Sequence, residues 1–499
     1  MFIRGGQLTV ATSSLKADML VRDFSTPALE AGTIEVHASA VTLDQATISA
    51  SASDHPFSSC CRGDGGQIRF MDLGTLSSTN SILAADAAHQ GDAGSISVGS
   101  PTTNSIALTA TTMRTFQGFN PFNPRGGGGH ITLTARTVSV DGGGLQVVEE
   151  DNSGPAGHIT LNADRVAITG GAGLIANHSS GTGEGGDVTI QGLMSTGATP
   201  TMATEVITDG AQLCVCSTSN PASGGSIVVR AGALTLNNTD IHVAGAGTIS
   251  LADVGTLTST SSSLFIVTHR PVPGGSILLG SPTTSSITLQ DTTLSSNSGN
   301  INLTASAVSI CGGQINTDPV FSVPAGNITA NVGTFTLSNG AKISSSSTFF
   351  PNSNVDAGTV TITATGAFQS TGSTVTASAG QGTGGAISIT AGNLSLTGGS
   401  TVTANSEGGG NAGTIQLKAG HNIHLKDSVV TANSKGSGNA GSIQFNAGDN
   451  ICLKDSAVTA QSEGTGNVGT IRLEAGHKIN VKDSTISPSP TIVSGQTTE

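Results

Sequence analysis

The sequence predicts an all-β chain, folded as a right-handed, single-stranded parallel β-helix of about 17 coils of roughly 28 residues each. Three observations carry that prediction: a composition unsuited to a thick globular core, a repeat that runs the length of the chain, and a two-residue alternation inside each repeat.

Of 499 residues, 69 are Gly, charged residues make up 10%, aromatic residues 3%, and Trp and Tyr are absent. A globule of this length needs large side chains to fill its middle at normal packing density, whereas a fold with a thin interior does not. Disorder is excluded because apolar residues recur in short alternating runs rather than being scarce.

The repeat is plainest after Gly358. Segments beginning at Ala412 (AGTIQLKAGHNIHLKDSVVTANSKGSGN), Ala440 (AGSIQFNAGDNICLKDSAVTAQSEGTGN) and Val468 (VGTIRLEAGHKINVKDSTIS) are in register every 28 residues. A Gly just before the first apolar run marks each unit: 32, 66, 94, 129, 157, 186, 225, 247, 275, 299, 326, 358, 385, 413, 441 and 469. The steps between markers range from 22 to 39 residues. Within a unit, Ile415, Leu417 and Ala419 point one way and Gln416 and Lys418 the other, the period of a strand. A second strand follows with Ile423 and Leu425 inward, then a third with Val430 and Ala432 inward, and Gly or Ser stands at the corners. Stacked in parallel at about 4.8 Å, such coils form inward columns such as Ile415, Ile443, Ile471 and Val430, Val458, Ile486, and a rod about 80 Å long. No coil buries its apolar face alone, so neighbours must stabilise one another.

We therefore expect one continuous array over 1–499: a partial first coil (1–31), irregular coils with loop insertions (32–357), regular 28-residue coils (358–487) and a tail (488–499) in which Pro488 and Pro490 stop pairing. Phe2 and Ile3 are expected to take the places of Ile34 and Val36. With no capping segment before Met1, the sequence reads as a piece of a longer protein, and the first residues do not form a signal peptide. A net charge of −13 and a pI near 5.2 oppose nucleic acid and anionic membranes as partners. No apolar run approaches the roughly 20 residues of a membrane helix, so no membrane insertion is expected. The six cysteines, Cys60, Cys61, Cys214, Cys216, Cys311 and Cys452, match no disulfide framework or zinc spacing, and all are expected to be unpaired or incidental.

The unit [A/G]-G-x-I-x-[I/L]-x-A-G-x-x-[I/L]-x-L, followed by S-x-[V/I]-x-A and a Gly/Ser/Asn loop, resembles the passenger region of filamentous haemagglutinin-like large exoproteins of bacteria. The likeness covers essentially the whole chain. It implies a secreted or cell-surface protein, an outer-membrane transporter of the two-partner type as its export partner, and a host-cell or matrix surface as its target. On that reading the chain is a non-catalytic adhesive rod of the extracellular space or bacterial outer surface. The alternatives are a β-helix polysaccharide lyase or hydrolase and a haem-utilisation exoprotein. The first would need clustered carboxylates or a basic residue together with aromatic platforms, and no segment combines them.

No residue set has the spacing of a catalytic, cofactor or metal site. Candidate contact residues lie in the variable loops before the marker glycines: Phe57, Phe116, Phe119, Phe122, Phe321, Phe349 and Phe350, which either fold over their own corners or form an exposed apolar patch. Arg62, Gly63 and Asp64 make a tripeptide that an exposed turn could present to an integrin-type receptor, and it equally suits a solvated turn. The column Lys426, Lys454, Lys482 beside Asp427, Asp455, Asp483 reads as a solvated charged face. His421, Asp449 and His477 share a column whose histidines are too far apart for a metal. A Thr array for ice is opposed by outward Gln, Lys and Arg.

Overall fold

The computed structural model describes the chain except residues 22–28, 55–61, 90, 118–126, 150–155, 179–184, 194–199, 217–223, 269–273, 349–353, 490 and 498–499. It forms two units, Met1–Thr256 and Leu257–Glu499. Each is a parallel β-helix, and no helix occurs among the described residues. In the second unit one coil runs Thr414–Ala419, Ile423–Lys426, Val429–Thr431, and the next Ser442–Ala447, Asn450–Lys454, Ala457–Thr459. Each strand pairs in parallel with its copy one coil on, Ile415 with Ile443, Leu425 with Leu453, Val430 with Val458.

Inward β-branched and aliphatic residues stack into columns because parallel pairing puts like positions over one another. In the first unit Ile34, Ile68, Ile96, Ile131, Ile159, Val188, Ile227 and Ile249 form one such column, all fully buried. In the second, Ile277, Ile301, Ile328, Val360, Ile387, Ile415, Ile443 and Ile471 do the same. Burying each is worth about 1.5–3 kcal/mol. Aromatic bulk is used sparingly: Phe335 stacks on Phe368 at 5.8 Å, and Phe70 and Phe445 are fully buried. Buried hydroxyls at the inner end of the second strand pair across coils, Ser78 with Thr111 at 3.0 Å and Ser370 with Ser400 at 3.0 Å.

Two backbone features set the coil. The marker glycines stack so closely that a Cβ on any from Gly66 to Gly247, or from Gly299 to Gly469, would overlap the carbonyl oxygen of the glycine one coil earlier. Only a residue without a side chain fits there. Between the second and third strands, each coil turns on a left-handed residue, followed in several coils by a second such as Gly143, Gly171 or Gly313; the first of them has φ between 44° and 70°. These first residues are Thr12, Gln45, Asn80, Ala110, Gly142, Gly170, Gly210 and Asn238 in the first unit. In the second they are Ser261, Asp291, Gly312, Asn339, Gly372, Gly398, Asp427, Asp455 and Asp483. Gly, Asn and Asp dominate because they tolerate this region best. The aspartates read from sequence as a charged face therefore have a prior backbone duty. The lysine column beside them is in register as expected, with Lys454 Nζ 3.9 Å from Asp455.

Side-chain oxygens extend the ladder into the loops. Asp318 Oδ1 accepts from Ser346 N (2.7 Å), Ser346 Oγ from Ser378 N (3.1 Å) and Ser378 Oγ from Asn405 N (3.2 Å). The run continues as Asn405 Oδ1 accepts from Asn433 N and Asn433 Oδ1 from Gln461 N, both at 2.8 Å. Buried Ser406 and Ser434 donate to the carbonyls of Gly382 and Gly410. The Gly/Ser/Asn loops of the regular coils are thus stacked parts of the ladder rather than free appendages.

Two expectations are corrected. Ile3 pairs with Val36, but Phe2 pairs with Glu35 and faces outward, its ring 5.1 Å from that of His37. The tail does not end pairing at its prolines: Thr491–Thr497 forms a further parallel strand on Thr470–Lys482, with a register shift between Ala475 and Lys478. Pro488 lies in the corner before that strand, where no ladder amide is required of it.

Gly441→Ala forces a Cβ into the Gly413 carbonyl and should cost about 3 kcal/mol, the upper part of the overpacking range. Hydrogen exchange at Thr470 N, which donates to Gly441 O, should then accelerate about a hundredfold. Gly420→Ala, whose Cβ meets nothing closer than 3.7 Å, should change it by less than about 0.5 kcal/mol.

Candidate functional site

Of the loop residues singled out from sequence, Phe57, Phe119, Phe122, Phe349 and Phe350 lie outside the described residues, as do Cys60 and Cys61. The other two phenylalanines are placed, each half-buried. Phe116 is not in a loop but inside the strand Ser105–Gln117, where its amide donates to Asp86 Oδ1 at 3.1 Å. It ends the ladder in which Asp18 Oδ1 accepts from Ser51 N and Ser51 Oγ from Asp86 N. Phe321 lies in the bend after Gln314–Asn316, next to exposed Val320.

The Arg62-Gly63-Asp64 tripeptide is not an exposed turn. It forms a short strand, parallel to Leu29–Glu30 and antiparallel to Ala88–His89. Gly63 is buried, and Asp64 Oδ1 accepts from Asp92 N at 3.0 Å, as Asp92 Oδ1 accepts from Gly127 N at 2.8 Å. Asp64 and Asp92 repeat the side-chain-to-amide ladder described above. With Glu30 and His130 they line a shallow surface depression.

Above that depression runs a polar column at the outer start of the first strands: His130, His158, Asp187, Ser226. The two imidazoles stack at 5.2 Å with planes 3° apart. His158 Nδ1 lies 3.0 Å from Asp187 Oδ2, and Ser226 donates its hydroxyl (2.6 Å) and amide (2.9 Å) to Asp187 Oδ1. The hydrogen bond to Asp187 raises the His158 pKa above its ordinary 6.5 against partial burial. Partial burial lowers that of His130, and the charge of His158 adds to it. Burial pushes Asp187 upward, but the hydrogen bonds from His158 and Ser226 outweigh it, so its carboxyl sits below the ordinary value. The carboxylate stands between imidazole and hydroxyl, so the serine is not activated by the histidine, and the column is a structural relay of polar contacts.

A shorter column repeats the motif in the second unit. His421 Nδ1 is 3.1 Å and His477 Nδ1 3.4 Å from opposite oxygens of Asp449, so the carboxylate is occupied by its two neighbours.

Sequence reasoning missed one cluster. Cys214 pairs in parallel with His242, one coil later. The His242 Nδ1 lies 3.9 Å from the sulfurs of both Cys214 and Cys216, and the three donor atoms fall within 4.8 Å of one another. Cys214 and Cys216 are joined as a disulfide with Cα atoms 5.6 Å apart, which corrects the expectation that they are unpaired or incidental. Cys311 and Cys452 are free. The two sulfurs are close in sequence, whereas the imidazole comes from the next coil. The 28-residue separation of Cys214 and His242, one period of the repeat, was the available signal.

Comparison with family models, curated proteins and solved structures gives no match in any of the three. The class of the chain therefore rests on its own geometry: it is a parallel β-helix repeat protein.

The two stacked histidines have opposite pH signatures. The contribution of His158 to stability is fully present below pH 6.5 and fades as pH rises through its elevated folded value. That of His130 is fully present above pH 6.5 and fades as pH falls through its depressed value. Histidine NMR titration should give a midpoint above 6.5 for His158 and below it for His130, and Asp187→Asn should bring the His158 midpoint down.

Proposed function

We propose that this chain is the rod-like passenger of a bacterial surface exoprotein, exported through an outer-membrane transporter of the two-partner type, that acts without catalysis by displaying repeated surfaces to host cells or matrix. The observation that carries the reading is the in-register repetition of one loop and one outward face over successive coils. Ser406, Ser434 and Ser462 bridge to one another in parallel, so the loops around them recur at the strand spacing with their backbones locked together. A weak contact made by one loop is then offered several times at fixed spacing, and the linked contacts add as avidity rather than as single affinities. The resemblance of the repeat unit to filamentous haemagglutinin-like exoproteins supports the surface location and the export route.

Removing residues 412–439 takes out one whole period and rejoins Asn411 to Ala440, which keeps the register. Beads coated with the intact chain should adhere to cultured cells or matrix-coated surfaces. The shortened chain, with unchanged far-ultraviolet circular dichroism, should show an apparent affinity lower by about tenfold or more. Equal adhesion by the two chains, or none by the intact one, would remove the proposal. Unsaturated oligosaccharides released from an acidic polysaccharide would put a lyase in its place, and a haem absorbance band that titrates to saturation would favour haem utilisation.

A further inference from the structure

Soft donors are rare on the described surface of this molecule, yet three converge at one point. The third-strand face of the first unit carries Ile175, Cys214 and His242 in consecutive coils. Cys216, one residue past the end of the strand Gln212–Val215, closes the group. Cys214 is 3% exposed, while Cys216 and His242 are half-buried, so the cluster is shielded but reachable from solvent.

The flanking groups point the same way. Asn177 stands two residues after Ile175, as Cys216 stands two after Cys214. Its Oδ1 is buried and has no hydrogen-bond partner among the described residues. Asp240, two residues before His242 on the same strand, likewise has a buried Oδ1 without a partner among the described residues. Two sulfurs and an imidazole nitrogen converging in a partly buried place, on strands that also carry unmatched oxygen acceptors, make a surrounding that a cation would suit.

We infer that Cys214, Cys216 and His242 form a redox-gated site for a soft d¹⁰ cation, empty when the two sulfurs are bonded and filled when they are reduced. Opening the disulfide consumes two electrons and two protons. A phosphine reductant supplies the electrons and becomes its oxide, with water giving the oxygen and the protons. The cation then displaces the two thiol protons and takes both thiolates and the Nδ1 lone pair of neutral His242. Two sulfurs and one nitrogen satisfy Cu(I), which is content with three donors, whereas Zn(II) needs a fourth from water or a neighbouring oxygen. The parallel register fixes the imidazole beside the sulfurs before any ion arrives, so little ordering remains for binding to impose.

The test uses the full chain with Cys60, Cys61, Cys311 and Cys452 replaced by Ser, reduced with a phosphine under anaerobic conditions and freed of excess reagent. Titration of Cu(I) against a chromophoric chelator should give one equivalent per chain, with thiolate-to-metal absorbance in the near ultraviolet. The unreduced chain should bind none. Cys214→Ser and Cys216→Ser should each weaken binding by at least about a hundredfold, and His242→Gln by about tenfold or more. Zn(II), competed in the same way, should bind at the same residues but more weakly. If Cys214→Ser perturbs the fold, as judged by circular dichroism, the half-buried Cys216→Ser and His242→Gln variants carry the test. Failure of the reduced chain to take up either ion, or full uptake by the chain lacking both Cys214 and Cys216, would overturn the site.

Discussion

The close approach of backbone to backbone at the marker glycines is the constraint on which the rest depends. At that point each coil passes so near its predecessor that the earlier carbonyl occupies the volume a side chain would need. This contact sets the separation of the coils and the phase of everything that follows in each one. Given that phase, the isoleucine column, the buried hydroxyl pairs and the left-handed corners all fall over their counterparts without further adjustment. The interior can then be thin, because every inward side chain is covered by its copy above and below rather than by a distant element. This accounts for a chain that holds a core with so few aromatic residues.

The same register determines what the surface can do. A column of like residues is a hazard for charges and an opportunity for polar groups that both donate and accept. Aspartate over asparagine or serine solves the problem by accepting a neighbour's amide, as Asp318 and Asn405 do. In two of the histidine columns a carboxylate stands beside the imidazole, at Asp187 and at Asp449. The described loops of the regular coils are drawn into the ladder by these bonds, so their side chains recur in register. That periodic display is the property on which the proposed function rests.

Much of this was legible in the residues because repetition writes the same instruction many times. The marker glycines and the inward Ile, Leu and Val positions were read correctly from alternation and period alone. What failed had a common cause, namely inference from a local stretch without its neighbours in the stack. The Arg62-Gly63-Asp64 run looked like a turn because its two pairing segments, Leu29–Glu30 and Ala88–His89, lie about thirty residues to either side. Phe2 was placed one position off because a single strand end offers too few alternations to fix its face. The tail was closed at its prolines, although proline in a corner does not prevent a strand from forming after it. The aspartates at 427, 455 and 483 do form the exposed charged face read from sequence, but their left-handed backbone went unread because side-chain chemistry is visible in a sequence and a positive φ is not. Cys214, Cys216 and His242 were not grouped because they meet only across one coil of the stack.

The side-chain ladder through Asp318, Ser346, Ser378, Asn405, Asn433 and Gln461 also has a direction. Every oxygen in it accepts from the amide of the coil that follows, never from the coil before. A finished turn of the chain therefore leaves its acceptors aimed at residues still to come, and the last one laid down is a template for the next. A coil added at the carboxyl end meets side-chain acceptors already in place, and one added at the amino end meets backbone amides already in place, so the ladder templates growth at either end.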